Sequence, residues 1–248
     1  MTTLSNQTSS TNRFLRTMSF LLSLLVGMMG GSILLGGTWY LLAYTTLGAQ
    51  LVHFLGITEK TAWYFSRSAG TVAYMLLAGS TVWGLLLSSK LIKEAVPAAL
   101  ALAMHNILSW LAITLTGLHA LALLFDSYFT YTLSSITIPF LGPYKPGWVG
   151  LGIIGFYLMF ITAISFNFRK QIGQKRWRQL HYLSFIAYLG ATIHGAMAGT
   201  DNGNPGMQAL YWGSGLLVLF LTNYRLLAGK NERAIGQSSA RRQSQMRS

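Results

Sequence analysis

The sequence predicts an all-α membrane protein: a bundle of six transmembrane helices with both termini in the cytoplasm. Of the 248 residues, 52% are hydrophobic and only 9% are charged, a balance that soluble domains of this length do not show. Six apolar stretches each reach the roughly 20 residues that a helix needs to cross a bilayer core of about 30 Å. The distribution of the basic residues indicates the orientation of the bundle.

The predicted spans divide the chain into one membrane domain with two polar tails. They lie in residues 18–47, 67–92, 98–125, 147–167, 176–198 and 207–229. We expect a polar cytoplasmic tail over residues 1–17, a transmembrane domain over 18–229 and a basic cytoplasmic tail over 230–248. Because the tails are polar and lack periodicity, neither is expected to form a domain, and both are expected to be mobile.

The charge distribution predicts that the connections after spans 2 and 4 lie in the cytoplasm. The chain carries 18 Lys and Arg against 5 Asp and Glu. With a cytoplasmic N-terminus, every basic residue except Lys60, Arg67 and Lys145 falls on the inner side, as the positive-inside rule requires. Such a surface suits anionic lipid head groups or an acidic soluble partner, and nothing in the chain calls for nucleic acid.

A glycine motif in the fourth span has the spacing of a dinucleotide-binding loop but not the strand that precedes such a loop. Gly150, Gly152 and Gly155 satisfy the pattern G-x-G-x-x-G. No predicted strand precedes them, and they begin a membrane helix on the outer side. We therefore interpret them as small residues that let two helices approach closely.

Four of the five histidines lie inside apolar spans, where an ionisable side chain is costly and marks a site. His105 and His119 belong to the third span, and His181 and His194 to the fifth. Both spans run outward, so His105 and His181 share an inner level while His119 and His194 share an outer level. At about 1.5 Å per residue the levels lie roughly 20 Å apart.

Two imidazoles on separate helices at each level are the ligand set of a six-coordinate b-type haem, whose ring fills an apolar slot between helices. Zinc prefers three or four ligands at one point. The chain has no cysteine, which excludes thiolate ligands and the attachment motif of c-type haem. The pattern therefore predicts two stacked b haems held by helices 3 and 5.

The two histidine spacings are not equivalent on an ideal helix. The 14 positions from His105 to His119 return to within about 40° of one face, whereas the 13 positions from His181 to His194 miss it by about 140°. We expect helix crossing, or local tightening near Gly190, to absorb the difference.

At these residues the chain resembles the ferric-reductase-like transmembrane family, which includes the NADPH oxidases, the yeast ferric reductases and the bacterial haem-binding membrane subunit of a methionine sulfoxide reductase system. The family has six helices and two b haems, with ligand pairs spaced H-x13-H and H-x12-H as in this chain. Further resemblance to the bacterial branch lies in the strings RSAGTVAYMLLAGS, YKPGWVGLGIIGFYL and RWRQLHYLSF.

The resemblance implies an electron carrier of the bacterial cytoplasmic membrane, the haem-binding component of an oxidoreductase. His105 and His181 would ligate the inner haem, and His119 and His194 the outer haem. Arg67 outside and Arg178 inside are candidates to pair with haem propionates.

The chain departs from the oxidases in ending after the sixth span, without flavin and nicotinamide domains. We therefore expect electrons from a separate cytoplasmic flavoprotein or a quinol, with a flavin or quinone supplied by the partner or bound at the cytoplasmic face, and delivery to an outer acceptor.

Three other functions fit parts of the pattern. One is a quinol-oxidising cytochrome b subunit of a larger complex, which keeps the haems and changes the partner. Another is a haem-free transporter or channel that uses the histidines as a proton relay, although the spans lack carboxylates and broken inverted repeats. The third is a cofactor-poor partner-binding protein that works through its basic tail.

Overall fold

The computed structural model describes residues 37, 45–54, 58, 60–89 and 91–245, which are largely helical and include no β-strand. The chain divides into two compact units, residues 1–58 and 59–248. In the first unit the structure describes one short helix, α1 (Thr46–Phe54). The first predicted span, residues 18–47, lies outside the described residues apart from Gly37 and its last three positions.

The second unit contains eight further α-helices over its described residues. They are α2 (Thr61–Ser88), α3 (Ala98–Ala122), α4 (Leu133–Thr137), α5 (Pro146–Ser165), α6 (Arg169–Ile172), α7 (Gln174–His181), α8 (Leu183–Ala198) and α9 (Pro205–Gln245). Single 3₁₀ turns, Leu123–Phe125 and Phe166–Phe168, extend α3 and α5.

Three described helices are long and apolar enough to cross a membrane: Thr61–Ser88, Ala98–Phe125 and Pro146–Ile172. They correspond to the second, third and fourth predicted spans. The second begins earlier than predicted, so Arg67 lies nearly two turns inside the helix rather than at its end. Many of their large apolar side chains are exposed, as helices that face lipid require.

Local sequence explains how several of these helices begin. Pro97 immediately precedes α3, and Pro146 occupies the first position of α5, where a residue without a backbone N–H leaves no donor unpaired. The short helix α4 starts with a capping box, in which the Thr132 hydroxyl accepts from the Ser135 N–H and the Ser135 hydroxyl accepts from the Thr132 N–H.

The fifth predicted span is not one continuous helix. It is divided at Tyr182 into α7 and α8, and the Phe185 N–H donates to the Tyr182 carbonyl at 3.1 Å in a tight turn. The irregularity therefore directly follows His181, whereas Gly190, where we expected it, lies within the regular helix α8. The turn therefore lies between the two histidines of this span.

The last helix extends beyond the sixth predicted span. Helix α9 contains that span and continues through Gln245, so most of residues 230–248 is helical. Gly229 and Gly236 do not end the helix, and Ala, Arg, Lys, Glu and Gln, which favour helices, are frequent around them.

Two antiparallel helix pairs form the centre of the second unit. Helix α2 packs along α3, and α5 packs along α8; α3 also contacts α5, α2 contacts α8, and α9 lies against α2. The core that they share is buried and mostly apolar, and it includes Tyr74, Leu77, Ala78, Leu85, Ala112, Ile113, Met159, Ala187, Tyr188, Val218 and Leu221.

The glycine motif of α5 is a close-packing surface, as interpreted. A Cβ on Gly150 would overlap the Phe140 ring, and one on Gly152 would lie 2.8 Å from the His194 ring. A Cβ on Gly155 would lie 3.4 Å from the Ala187 carbonyl oxygen of α8. All three glycines thus allow close approach of neighbouring structure.

Candidate functional site

The structure brings the four histidines together in the two predicted pairs. The ring centres of His105 and His181 are 6.1 Å apart with an interplanar angle of 75°. Those of His119 and His194 are 6.2 Å apart at 74°. Each pair joins α3 to the α7–α8 segment, one pair toward the start of α3 and the other toward its end.

These separations suit one metal atom between two imidazoles. A bond of about 2.0 Å from each nitrogen, with about 1.1 Å from nitrogen to ring centre, places the two ring centres roughly 6 Å apart. Among the described residues, no three His, Asp or Glu side chains converge as the complete ligand set of a metal ion. Two axial ligands are what a porphyrin-bound iron needs from the protein.

Backbone carbonyls hold three of the four imidazoles. Nδ1 of His119 lies 2.8 Å from the Ser66 carbonyl oxygen, and Nδ1 of His105 lies 3.1 Å from that of Ser80. Nδ1 of His194 lies 3.0 Å from the Trp148 carbonyl oxygen. A carbonyl oxygen only accepts, so Nδ1 carries the proton in each ring and Nε2 is left with the lone pair that binds metal.

A glycine one turn after each of these carbonyls contacts the same ring. A Cβ on Gly70 would lie 2.8 Å from Nδ1 of His119, and one on Gly84 would lie 3.1 Å from Cε1 of His105. A Cβ on Gly152, four residues after Trp148, would lie 2.8 Å from the His194 ring. The carbonyl orients the ring, and the missing side chain provides the space for it.

Sequence reasoning missed these supporting residues, although a signal was present. Helix α2 contains Ser66-x3-Gly70 and Ser80-x3-Gly84, a repeat of 14 positions that equals the spacing from His105 to His119 on the neighbouring helix. Both serine hydroxyls also approach the imidazoles, at 3.1 Å for Ser66 and 3.2 Å for Ser80. Matching periods on two antiparallel helices predict that equivalent faces meet at each repeat.

His181 is held differently from the other three. Its ring stacks on Trp177, with centres 5.2 Å apart and an interplanar angle of 23°. The position 14 residues after Gly152 holds no glycine: it is occupied by Phe166, whose ring meets Trp177 edge-on with the ring centres 5.8 Å apart. Bulky rings therefore stand near His181, and the Trp177 indole N–H is buried without a hydrogen-bond partner among the described residues.

A cavity lies at the outer level between the two imidazoles. His119 and His194 both line it, together with small and apolar residues of α2, α3, α5 and α8. Phe129, Tyr131 and Tyr144 of the 127–146 connection line its outer end. A mostly apolar lining with two imidazoles is what a porphyrin ring requires of the protein.

The two propionate candidates occupy different surroundings. Arg67 lines the outer cavity beside His119, lies 4.1 Å from the centre of the Trp63 ring and pairs with Asp201, with 2.9 Å from Nε to a carboxylate oxygen. Arg178 is exposed on α7, one turn before His181.

A group of hydroxyls lies between the two histidine levels. The Tyr74 hydroxyl is 2.7 Å from that of Ser214 and 3.2 Å from that of Thr192, and the Tyr74 and Tyr188 rings stack with centres 6.2 Å apart. The group joins α2, α8 and α9 at mid-depth, so its polar atoms are satisfied within the bundle.

No protein-family model, no curated protein and no solved structure matches this chain.

Proposed function

We propose that this protein is a di-haem b membrane protein of the ferric-reductase-like type, which carries electrons across the bacterial cytoplasmic membrane. Electrons would come from a cytoplasmic flavoprotein or a quinol and pass to an outer acceptor. The observation that carries the proposal is the convergence of four distant histidines into two pairs, 6.1 Å and 6.2 Å between ring centres, one above the other along α3.

The roles of the residues follow from their contacts. His105 with His181, and His119 with His194, would bind the two irons through Nε2, and the bound haems would supply one-electron redox chemistry. The Ser66, Ser80 and Trp148 carbonyls keep the Nδ1 proton in place and make the opposite nitrogen a better donor to metal. Apolar packing around the outer pair limits the access of water.

The three long apolar helices and the exposed apolar side chains support a membrane location, and the basic connections support a cytoplasmic face. A bundle of six spans with both termini inside is the arrangement that we propose. The protein would then act as the haem-binding membrane component of an oxidoreductase.

The first test is a reduced-minus-oxidised optical spectrum of the purified full-length protein, with haem quantified per chain. We expect two b haems per chain and two redox steps in a potentiometric titration. Protein expressed with ample haem that contains none would overturn the proposal and leave the proton-relay channel as the better interpretation of the four histidines.

A further inference from the structure

A basic surface adjoins the inner histidine pair. Residues 169–178, which we call the basic segment, contain five Arg or Lys residues and no Asp or Glu. Lys170, Lys175, Arg176 and Arg178 are exposed, so their charges face outward from the bundle. The segment consists of α6, the connecting Gly173 and the first part of α7, and Gly173 has a positive φ of 85°.

Aromatic rings lead from this segment to the inner histidines. The Arg169 guanidinium lies 3.8 Å from the centre of the Phe166 ring, and Phe166 meets Trp177 at 5.8 Å. Trp177 stacks on His181 at 5.2 Å, and His181 faces His105 at 6.1 Å. Each step along this path joins neighbouring rings without an intervening aliphatic layer.

We propose that the basic segment is the docking surface for an acidic soluble electron-donor protein, and that Phe166 and Trp177 are positioning residues on the path from that surface to His181. This inference rests on the proposed function. After docking, the donor would be oxidised by one electron and the inner haem iron, which His105 and His181 would hold, would be reduced from ferric to ferrous; no covalent bond forms or breaks in this chain. Opposite charge would steer the encounter and fix the orientation of the donor.

The ring path favours a protein donor over a lipid head group. The positive-inside rule accounts for basic residues in a cytoplasmic connection, and anionic lipid could neutralise them. Neither explains why the basic segment is joined to the interior by a series of contacting rings that ends on a histidine of the inner pair. A donor that binds here brings its redox group close to that path.

The test uses the full-length, haem-loaded protein in nanodiscs of neutral lipid, with an acidic flavodoxin as the probe. Binding of oxidised flavodoxin is measured first, because it involves no electron transfer. We expect Lys175→Glu to weaken binding severalfold and the triple variant K170E/K175E/R176E to weaken it about tenfold or more, with the difference shrinking at high salt. Lys93→Glu, an exposed lysine in the preceding predicted cytoplasmic connection, is the matched control.

Equal binding by the wild type, the triple variant and Lys93→Glu would overturn the docking surface. So would a triple variant that loses binding to vesicles containing anionic phosphatidylglycerol but keeps flavodoxin affinity, because the segment would then be a lipid contact. Failure of the proposed function is seen separately, as absence of b-haem bands, and leaves the binding comparison readable.

The path of rings is tested by a stopped-flow measurement of the rate at which flavodoxin hydroquinone reduces the inner haem. We expect Trp177→Leu to slow this reduction about tenfold while Trp177→Phe retains most of the rate. Reduction by dithionite, which does not require the docking surface, should change little in either variant. Both Trp177 variants could lose inner haem to the same degree and reduce the remaining haem at the same rate. That result would show that Trp177 has only a structural role, and it would overturn the proposed path.

Discussion

The outer and inner histidine pairs have nearly the same ring separation but are supported in different ways. At the outer level both imidazoles rest on a glycine and donate to a carbonyl, His119 to Ser66 and His194 to Trp148. At the inner level His105 has this support, whereas His181 ends a short helix and stacks on Trp177. The same pair geometry can thus arise from regular helix packing or from a turn.

The difference accompanies the unequal spacing of the histidines. Helices α2 and α3 keep a common period of 14 positions, so Ser66 and Ser80 meet His119 and His105 in the same manner. On the other side the turn at Tyr182 interrupts the helix between His181 and His194, which are 13 positions apart. We expect the inner level to depend on this turn and on its aromatic neighbours.

The largest effect should follow removal of a single histidine. His119→Ala or His194→Ala should abolish the outer haem and leave most of the inner one, and His105→Ala or His181→Ala the reverse, because each iron loses an axial ligand. Haem per chain and potentiometric titration measure this, with His53→Ala on α1 as the control. Equal loss of both haems in every variant would contradict the layered pairing.

Glycine substitutions should affect the outer level more than the inner one. A Cβ on Gly70 or Gly152 would meet a ring at 2.8 Å, against 3.1 Å for Gly84. Overpacking of this kind costs about 1–3 kcal/mol. Gly70→Ala and Gly152→Ala should therefore lower the outer haem content more than Gly84→Ala lowers the inner haem content, and they should also lower the melting temperature more.

Gly79→Ala is the matched control for these variants. Gly79 lies on α2, and a Cβ added there would have nothing within 4 Å, so alanine should be neutral or stabilise the helix by about 0.5–1 kcal/mol. If Gly70→Ala behaves like Gly79→Ala in both haem content and thermal stability, the glycine contact is not what positions His119.

Charge at the outer cavity should shift one redox potential without removing a ligand. Arg67→Gln takes away a positive charge beside His119 and should lower the outer midpoint potential by a few tens of millivolts, since the oxidised iron is then favoured. Asp201→Asn, which removes the partner carboxylate, should raise it. A shift of the same sign in both variants would show that structural change, not charge, dominates.

Serine hydroxyls should contribute less than the carbonyls of the same residues. Ser66→Ala removes hydroxyl contacts with Nδ1 and the carbonyl oxygen of His119, and Ser80→Ala removes contacts with Nδ1 of His105 and the hydroxyl of Ser109, a loss of about 0.5–1.5 kcal/mol per hydrogen bond. The Ser80–Ser109 contact, at 2.7 Å, is shorter than the 3.1 Å contact of Ser66 with the His119 carbonyl oxygen, so thermal unfolding should rank Ser80→Ala as the more costly. Ser88→Ala, whose hydroxyl bonds the nearby Leu85 carbonyl, is the control.

The smallest expected effect is on how thermal stability depends on pH, and it concerns Tyr131 at the outer cavity. Burial raises the pKa of Tyr131 to about 12, and the negative charge of Asp126 and the nearby Tyr144 act in the same direction. The neutral phenol therefore favours the folded state below about pH 10, and this contribution is lost as pH rises through about 12. Tyr131→Phe should reduce the loss of thermal stability between about pH 10 and 12; an unchanged pH profile would contradict it.

The predicted helical class and the ends of the third and fourth spans agree closely with α3 and α5, because apolar length and proline positions are local properties of the chain. The helical tail and the break at Tyr182 were not predicted. Composition is a weak guide to where a helix stops, and a turn inside an apolar run leaves the hydropathy unchanged.

Residue types and their spacing are enough to predict the apolar helices, the asymmetry of charge and the two histidine levels, since each depends only on residue type and on a rise of about 1.5 Å per residue. Which imidazoles face each other, which carbonyls bind them and the stacking of Trp177 on His181 depend on how the helices pack. The carbonyls are those of Ser66, Ser80 and Trp148. Most of those contacts join residues far apart in the chain, and they depend on the relative rotation and depth of packed helices, which no local pattern specifies.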